Sequence, residues 1–273
     1  MKAIQPVHKG NLMAGRVMGP IWDEFSPVKN RTEHHAFLFN VLKKFSPNST
    51  KIKVLDTCLG SGLDAIPLSK KGYEVTGNEF DPNYRTSAVK NIKKEKVDIG
   101  VIDYNWLELG RYKPKSLYDV VLCVGNSICY VFGKDNQKKV IKNFCRLVRP
   151  GGLLVIDERN FQFLLDHRRE VLDKKEQFVA THSGLNKHIL YGGEKYYPYP
   201  VDINDDMVTM GLWKTGKKKP ISHFYFHPFK RGELLELLKE TFGNKNVVVY
   251  SDYKKNYNDE AGFYQYVCKN KLS

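Results

Sequence analysis

Ile52-Lys53-Val54-Leu55-Asp56-Thr57-Cys58-Leu59-Gly60-Ser61-Gly62 reads as a buried strand that runs into a glycine turn, and Leu63 to Lys71 reads as the helix that follows. Glycines at such a turn let the backbone approach a ligand closely, and the start of the next helix carries partial positive charge. The alternation continues downstream. Glu74 to Glu79 is a strand, Pro82 to Lys94 a helix and Asp98 to Ile102 a strand. Asp119 to Val124 is a strongly apolar strand, Asn136 to Val148 an amphipathic helix, Pro150-Gly151-Gly152 a turn and Leu153 to Asp157 a further strand. Strands separated by helices of this length predict an α/β fold built on a doubly wound, mostly parallel sheet.

The flanks read differently. Residues 1–30 carry Gly10, Gly15, Gly19, Pro20 and Pro27 and read as an irregular arm; Thr32 to Phe45 has apolar residues at helical spacing, stopped by Pro47-Asn48-Ser49. Beyond Arg169 the β/α pattern breaks. Strand-like runs at His188-Ile189-Leu190-Tyr191, Met207-Val208-Thr209-Met210 and Ile221 to Phe226 predict an inserted antiparallel β lid. A helix over Arg231 to Thr241 follows, then an antiparallel pair, Val247 to Tyr250 and Phe263 to Cys268. The expected organisation is an N-terminal arm and helix over 1–50, a ligand-binding α/β domain over 51–169 and 228–273, and a lid over 170–227.

Composition narrows the class. Of 273 residues, 41% are hydrophobic and 12% aromatic, enough for a sizeable core. No apolar run approaches the ~18 residues of a membrane span, and the first residues lack the apolar block of a signal peptide. Cys58, Cys123, Cys129, Cys145 and Cys268 form no CxxC pair and no zinc spacing, so neither a disulfide framework nor a metal site is expected. These features predict a cytoplasmic protein. Lys plus Arg total 44 against 30 Asp plus Glu, a net charge of +14. The lysines are dispersed, without interleaved arginines and aromatics, and read as solvated loops and helix faces rather than a nucleic-acid surface.

Gly60-x-Gly62-x-x-Ala65 taken alone also satisfies a dinucleotide fingerprint. Two acids discriminate. Glu79 ends the second strand, 17 residues after Gly62, where a carboxylate can accept both hydroxyls of a ribose. That suits NAD and an adenosyl group equally. Asp56 ends the first strand, ahead of the glycines. A carboxylate there repels a pyrophosphate but attracts the ammonium of a methionine moiety. The pattern therefore favours S-adenosylmethionine.

Asp-x-x-x-Gly-x-Gly, an acid closing strand two, and Leu147-Val148-Arg149-Pro150-Gly151-Gly152 before strand five together resemble the class I S-adenosylmethionine-dependent methyltransferases, which have a Rossmann-like sheet. Cys123-Val124-Gly125-Asn126-Ser127 and Asp157-Glu158-Arg159-Asn160-Phe161 resemble more specifically the glycine and sarcosine N-methyltransferases. So do Trp22-Asp23-Glu24 with Arg31, Asn105-Trp106, the Met207-Val208-Thr209 strand and the stretch from Pro228 to Gly243. The likeness runs from about residue 20 to near the C-terminus.

The resemblance implies roles residue by residue. Glu79 binds the ribose; Asn105 and Trp106 bind the adenine. Arg31 holds the cofactor's carboxylate, and the arm bearing Trp22 closes over the site. Asp56, Cys58, Gly60, Gly62, Val124 and Ser127 shape the cofactor pocket. Arg159 binds the carboxylate of an amino-acid substrate, Asn126 orients it, and Tyr191 in the lid hydrogen-bonds within the site. The implied reaction is direct in-line methyl transfer to an amine, aided by alignment in a sheltered polar site. No residue stands out as a general base. A dimer or tetramer is the implied assembly.

There are departures. Cys58 stands where the family has alanine, and His227 and Leu212 stand where it has tyrosines of the substrate-side surface; Glu24 replaces an aromatic of some members. These leave the acceptor open between a glycine-like amino acid and a larger carboxylated amine. A nucleic-acid acceptor fits less well, because Gly125-Asn126-Ser127-Ile128 lacks the two prolines of an Asn-Pro-Pro-aromatic motif after strand four.

Overall fold

The structure, a computed structural model, describes residues 9–26, 31–46, 51–177 and 195–271. Strands β1 (Lys53–Asp56), β2 (Glu74–Asn78), β3 (Ile99–Ile102), β4 (Tyr118–Cys123) and β5 (Val148–Arg159) are parallel. After a three-stranded insertion, β9 (Val247–Ser251) and β10 (Phe263–Lys269) complete a seven-stranded sheet in the order β3-β2-β1-β4-β5-β10-β9. β10 is antiparallel to both its neighbours. This is the doubly wound, mostly parallel sheet with an antiparallel C-terminal pair that the sequence predicts.

Alternation along each strand divides the core. Val54, Val120, Leu122 and Val155 face α2 (Thr32–Phe45), α3 (Ala65–Lys70) and α4 (Pro82–Glu95). Leu55, Val121, Cys123, Leu154 and Ile156 face α5 (Lys134–Leu147), α6 (Phe161–Asp166), α7 (Arg168–Asp173) and α8 (Glu233–Phe242). The strands are buried on both sides, which is why they read as near-continuous apolar runs.

Three differences from expectation have physical reasons. Residues 9–25 form a helix, α1 (Lys9–Phe25), with Pro20 inside it, rather than an irregular arm. Its glycines are contact points, not breakers. A Cβ on Gly15 would lie 2.0 Å from Asp81 Oδ2, and one on Gly19 2.8 Å from the Asn83 backbone. Second, β5 begins at Val148 and carries Pro150-Gly151-Gly152 within it. Gly151 has φ +74°, and the register against β4 shifts between Tyr118 and Val120. Third, β6 (Tyr196–Ile203) is an unforeseen strand containing Pro198 and Pro200. It is an edge of the three-stranded sheet it forms with β7 (Val208–Lys214) and β8 (Ser222–Phe226), where a missing N–H is tolerated. The run at 188–191 lies outside the described residues. Among the described residues no helix is long and apolar enough to cross a membrane.

Asp157-Glu158-Arg159-Asn160 shows how the sheet sorts polar groups. Asp157 and Arg159 project from one face of β5 and Glu158 from the other. Asn160 donates to the carbonyls of Asp259 and Ala261, both at 2.9 Å. Glu158 is 3% exposed and accepts the Tyr266 hydroxyl at 2.6 Å. Burial pushes its carboxyl up to about 8, against the pull of that hydroxyl. The folded chain thus keeps a proton that the unfolded chain gives up above about 4.5. Glu158 lowers stability as pH rises between those values, and Glu158→Gln is expected to flatten the decline. Melting temperatures at pH 5 and pH 8, wild type beside variant, check this; equal slopes would remove Glu158 as the source.

Candidate active site

Loops at the carboxyl ends of β1 to β5 meet where the strand order reverses between β1 and β4, the place an open α/β sheet offers a ligand. β1 delivers the glycine turn. Gly60 and Gly62 have φ +57° and +92°, which L side chains rarely adopt. Glu79, just past β2, spans the turn: Oε2 accepts Gly60 N–H at 2.8 Å and Oε1 accepts Asp81 N–H at 2.9 Å. Burial pushes the Glu79 carboxyl up to about 8, although both N–H groups favour its charged form. Asn78 beside it ties three strands. Its Nδ2 donates to the Thr57 and Tyr104 carbonyls and its Oδ1 accepts Tyr104 N–H at 2.9 Å.

A cavity of about 190 Å³ opens over these loops. Of the predicted site residues, Trp22, Arg31, Cys58, Gly60, Glu79, Asn105, Trp106, Val124 and Ser127 line it. Trp106 is fixed by its indole N–H to the Thr57 carbonyl at 2.7 Å and by edge contact with Phe144. Cys58 Sγ and Ser127 Oγ both donate to the Val124 carbonyl, at 3.2 and 2.8 Å.

Asp56 and Gly62 do not line the cavity. Asp56 is 1% exposed below the turn, where its Oδ1 accepts Cys58 N–H at 3.1 Å. Burial, then the nearby Asp64, push its carboxyl up to about 7. The carboxylate that does reach the cavity from this side is Asp64, which the sequence reading missed. It accepts Arg31 Nε at 3.2 Å and pairs with Arg31 Nη2; the His35 and His34 rings lie 3.0 and 3.2 Å from its Oδ1. Burial works against its charge, yet the Arg31 guanidinium and the two imidazoles hold its carboxyl well below the usual range. Its place two residues after Gly62 was the available signal.

Helix α1 closes the cavity from above. Trp22 lies across it, edge-on to Tyr84. Asp23 latches the helix to the glycine turn through Ser61 Oγ and to α4 through Asn91 Nδ2. Glu24 pairs with Lys195 at the start of the lid sheet. At the other end Asn11 exchanges two hydrogen bonds with the Tyr225 backbone, at 2.7 and 2.8 Å.

A second cavity, about 40 Å³, adjoins the first; Trp22, Gly125, Tyr130 and Phe224 line both. Asn126 and Arg159 are its predicted residues, and its walls are Phe25, Phe161, Pro198, Met210 and Phe226. The Arg159 guanidinium is buried (4% exposed) and sits 4.7 Å from the Phe263 ring centroid. Asn126 Oδ1 accepts Arg159 N–H and Cys129 Sγ, each at 2.9 Å. His227 lines neither cavity. It packs edge-on against Phe132 and Phe229, and burial lowers its ring's pKa. Tyr191 lies outside the described residues. Among the described residues no cluster of three or more His, Cys, Asp or Glu is arranged to hold a metal ion.

The donor set fits an adenosyl cofactor. A strand-end acid faces the glycine turn, an amide and an indole follow β3, and apolar walls continue towards the second cavity. Comparison with known proteins agrees. A family model described as a methyltransferase domain matches residues 54–152. The chain is 24% identical over 249 residues (91% of it and 86% of the relative) to a glycine/sarcosine N-methyltransferase of Aphanothece halophytica. It is 34% identical over 157 residues (53% of it and 52% of the relative) to a glycine N-methyltransferase of Rattus norvegicus. An S-adenosylmethionine-dependent methyltransferase from Clostridium acetobutylicum superposes with a TM-score of 0.65 at 14% identity, over 93% of this chain and 98% of that one. The chain carries a methyltransferase domain and is an S-adenosylmethionine-dependent methyltransferase. Within that class it resembles the glycine/sarcosine N-methyltransferases.

Glu79 generates a pH prediction. Ribose hydroxyls donate to a carboxylate, so the ribose-binding role expected of Glu79 calls for the ionised form of a group that burial raises to about 8. Affinity for S-adenosylmethionine is expected to tighten as pH rises from 7 towards 8, with proton release. Glu79→Gln is expected to bind more weakly and with no such slope. Calorimetry in two buffers of different ionisation enthalpy reads both quantities; an unchanged proton count in the variant would contradict the assignment.

Proposed function

We propose that this methyltransferase transfers a methyl group to the amine of a small amino acid of the glycine type. The observation that carries the reading is Arg159. A buried guanidinium in a small, otherwise largely apolar cavity is suited to bidentate binding of one carboxylate. The relatives' names support the amine and the glycine-like size. The cavity's small volume favours such an acceptor over a larger carboxylated amine.

The proposed roles are as follows. Glu79 takes the ribose, Asn105 and Trp106 the adenine, and Arg31, steadied by Asp64, the cofactor's carboxylate. Val124, Ser127 and Cys58 border the methionine moiety; Asp56 and Gly62 shape the turn beneath it. Tyr191 is proposed to close the acceptor side from the lid. S-adenosylmethionine, when bound, supplies a methyl group on a positively charged sulfur.

Arg159 and Asn126 hold the acceptor so that its nitrogen lies over Gly125, which borders both cavities. The aromatic walls exclude water. Among the described residues no carboxylate or imidazole lines the acceptor cavity, and no general base is assigned. Five free cysteines agree with a reducing, cytoplasmic setting.

The test is a methyl-transfer assay with S-adenosylmethionine against separate pools of amino acids with their N-methyl derivatives, other amines, and tRNA. Turnover of a small amino acid is expected. Arg159→Ala should lose about 10²–10³-fold in kcat/KM, since it leaves a carboxylate without its charged partner. Cofactor affinity should stay near wild type. Turnover of tRNA alone, insensitive to Arg159, would overturn the reading.

A further inference from the structure

Gly125 and Asn126 form the partition between the two cavities, and their backbone is in an unusual state. Gly125 has φ +75° and Asn126 φ +65°, two consecutive residues in left-handed geometry. Glycine adopts this geometry freely and asparagine more readily than other residues with a side chain, so the turn's position is set by its partners. One buried side chain restrains both residues at once. Asp157, 1% exposed on β5, accepts Gly125 N–H on Oδ2 at 3.0 Å and Asn126 N–H on Oδ1 at 2.7 Å. Both oxygens are therefore committed to consecutive N–H groups of one turn.

We propose that Asp157 is a positioning residue for the acceptor: by gripping both N–H groups of the Gly125-Asn126 turn it sets where the acceptor's nitrogen and carboxylate lie relative to the cofactor cavity. This rests on the acceptor reading above. The grip extends to the acceptor side, because Asn126 Oδ1 in turn accepts Arg159 N–H at 2.9 Å. Turn, Asn126 amide and the backbone from which the Arg159 side chain extends are thus fixed to one another through the same strand. The cofactor's proposed anchors at Glu79, Asn105 and Trp106 hang from β2, β3 and the glycine turn instead. A shift of the partition moves the acceptor relative to the adenosyl anchors, and misplacement by about 1 Å can slow an aligned transfer about 10²-fold.

Asp157→Asn is the informative change. It keeps the shape but turns one acceptor oxygen into an NH₂ group facing a backbone N–H. Steady-state kinetics with the amino acid that wild type methylates, and calorimetry with S-adenosylmethionine, are run on both proteins. Glu158→Gln, on the opposite face of the same strand, controls for general disturbance of β5. Expected for Asp157→Asn are an acceptor KM raised about tenfold or more and a kcat lowered about tenfold or more. Cofactor Kd should stay within about twofold of wild type, and Glu158→Gln should leave all three values near wild type. If Asp157→Asn destabilises the fold, Asp157→Ser, run at a temperature where its melting curve shows it folded, must give the same split. Two results overturn the assignment while leaving the acceptor reading standing: unchanged kcat and KM, or loss of cofactor affinity in proportion to loss of turnover. Wild-type enzyme inert towards every carboxylated amine overturns both.

Discussion

The hydrogen bond from Gly60 N–H to Glu79 connects the glycine turn to the end of the neighbouring strand, and the cofactor cavity takes its shape from it. A turn with two left-handed glycines has few internal bonds to hold it. A carboxylate from β2 supplies the restraint, and its second oxygen fixes the start of α4 through Asp81. Asp157 does the same for the turn after β4. At the carboxyl edge of this sheet, backbone donors that would otherwise need water are satisfied by buried acids from adjacent strands. The loops can therefore be both irregular and fixed, as a binding site requires.

Helix α1 completes the enclosure by an apolar stripe, with Ala14, Met18 and Phe25 in the core, and by close approach at its glycines. Gly15 and Gly19 let it lie against Asp81 and Asn83 at the start of α4, and Gly10 lets it meet the Tyr225 ring. Asp23 and Asn11 then pin its two ends to the α/β domain and to the lid sheet. Trp22 sits between these anchors and borders both cavities. One helix thereby roofs the cofactor cleft and walls the acceptor cavity.

Most of the sheet was legible because Val54-Leu55 and Val120-Val121-Leu122-Cys123 are buried on both faces and carry a dense apolar signal. That Glu79 and Arg159 line the cavities was legible because an acid and a guanidinium at strand ends have few structural uses in a crevice. Residues 9–25 were not, because a glycine that allows close packing is indistinguishable in sequence from one that breaks a helix. β6 was hidden by Pro198 and Pro200, whose tolerance depends on its being an edge, a fact of tertiary structure. Asp64 and Asn78 were missed because their partners, Arg31 and Tyr104, lie 33 and 26 residues away in sequence. Asp56 drew attention for its position, but its side chain turns below the loop.

Charge resolves the ambiguity that the glycine motif leaves. The chain as a whole carries +14, yet the charged side chains lining the larger cavity are Glu79, Asp81, Asp64 and Arg31, three acids and one base. Asp56, directly beneath, adds a fourth carboxyl. Arg31 and Asp64 are paired with each other, so the balance that remains on the cavity wall is acidic. A pyrophosphate would meet those carboxyls unfavourably wherever they are ionised. A sulfonium meets it favourably, and its positive charge would draw the raised carboxyls of Asp56 and Glu79 towards their ionised forms. The basic exterior and the acidic cleft are separate features of the molecule.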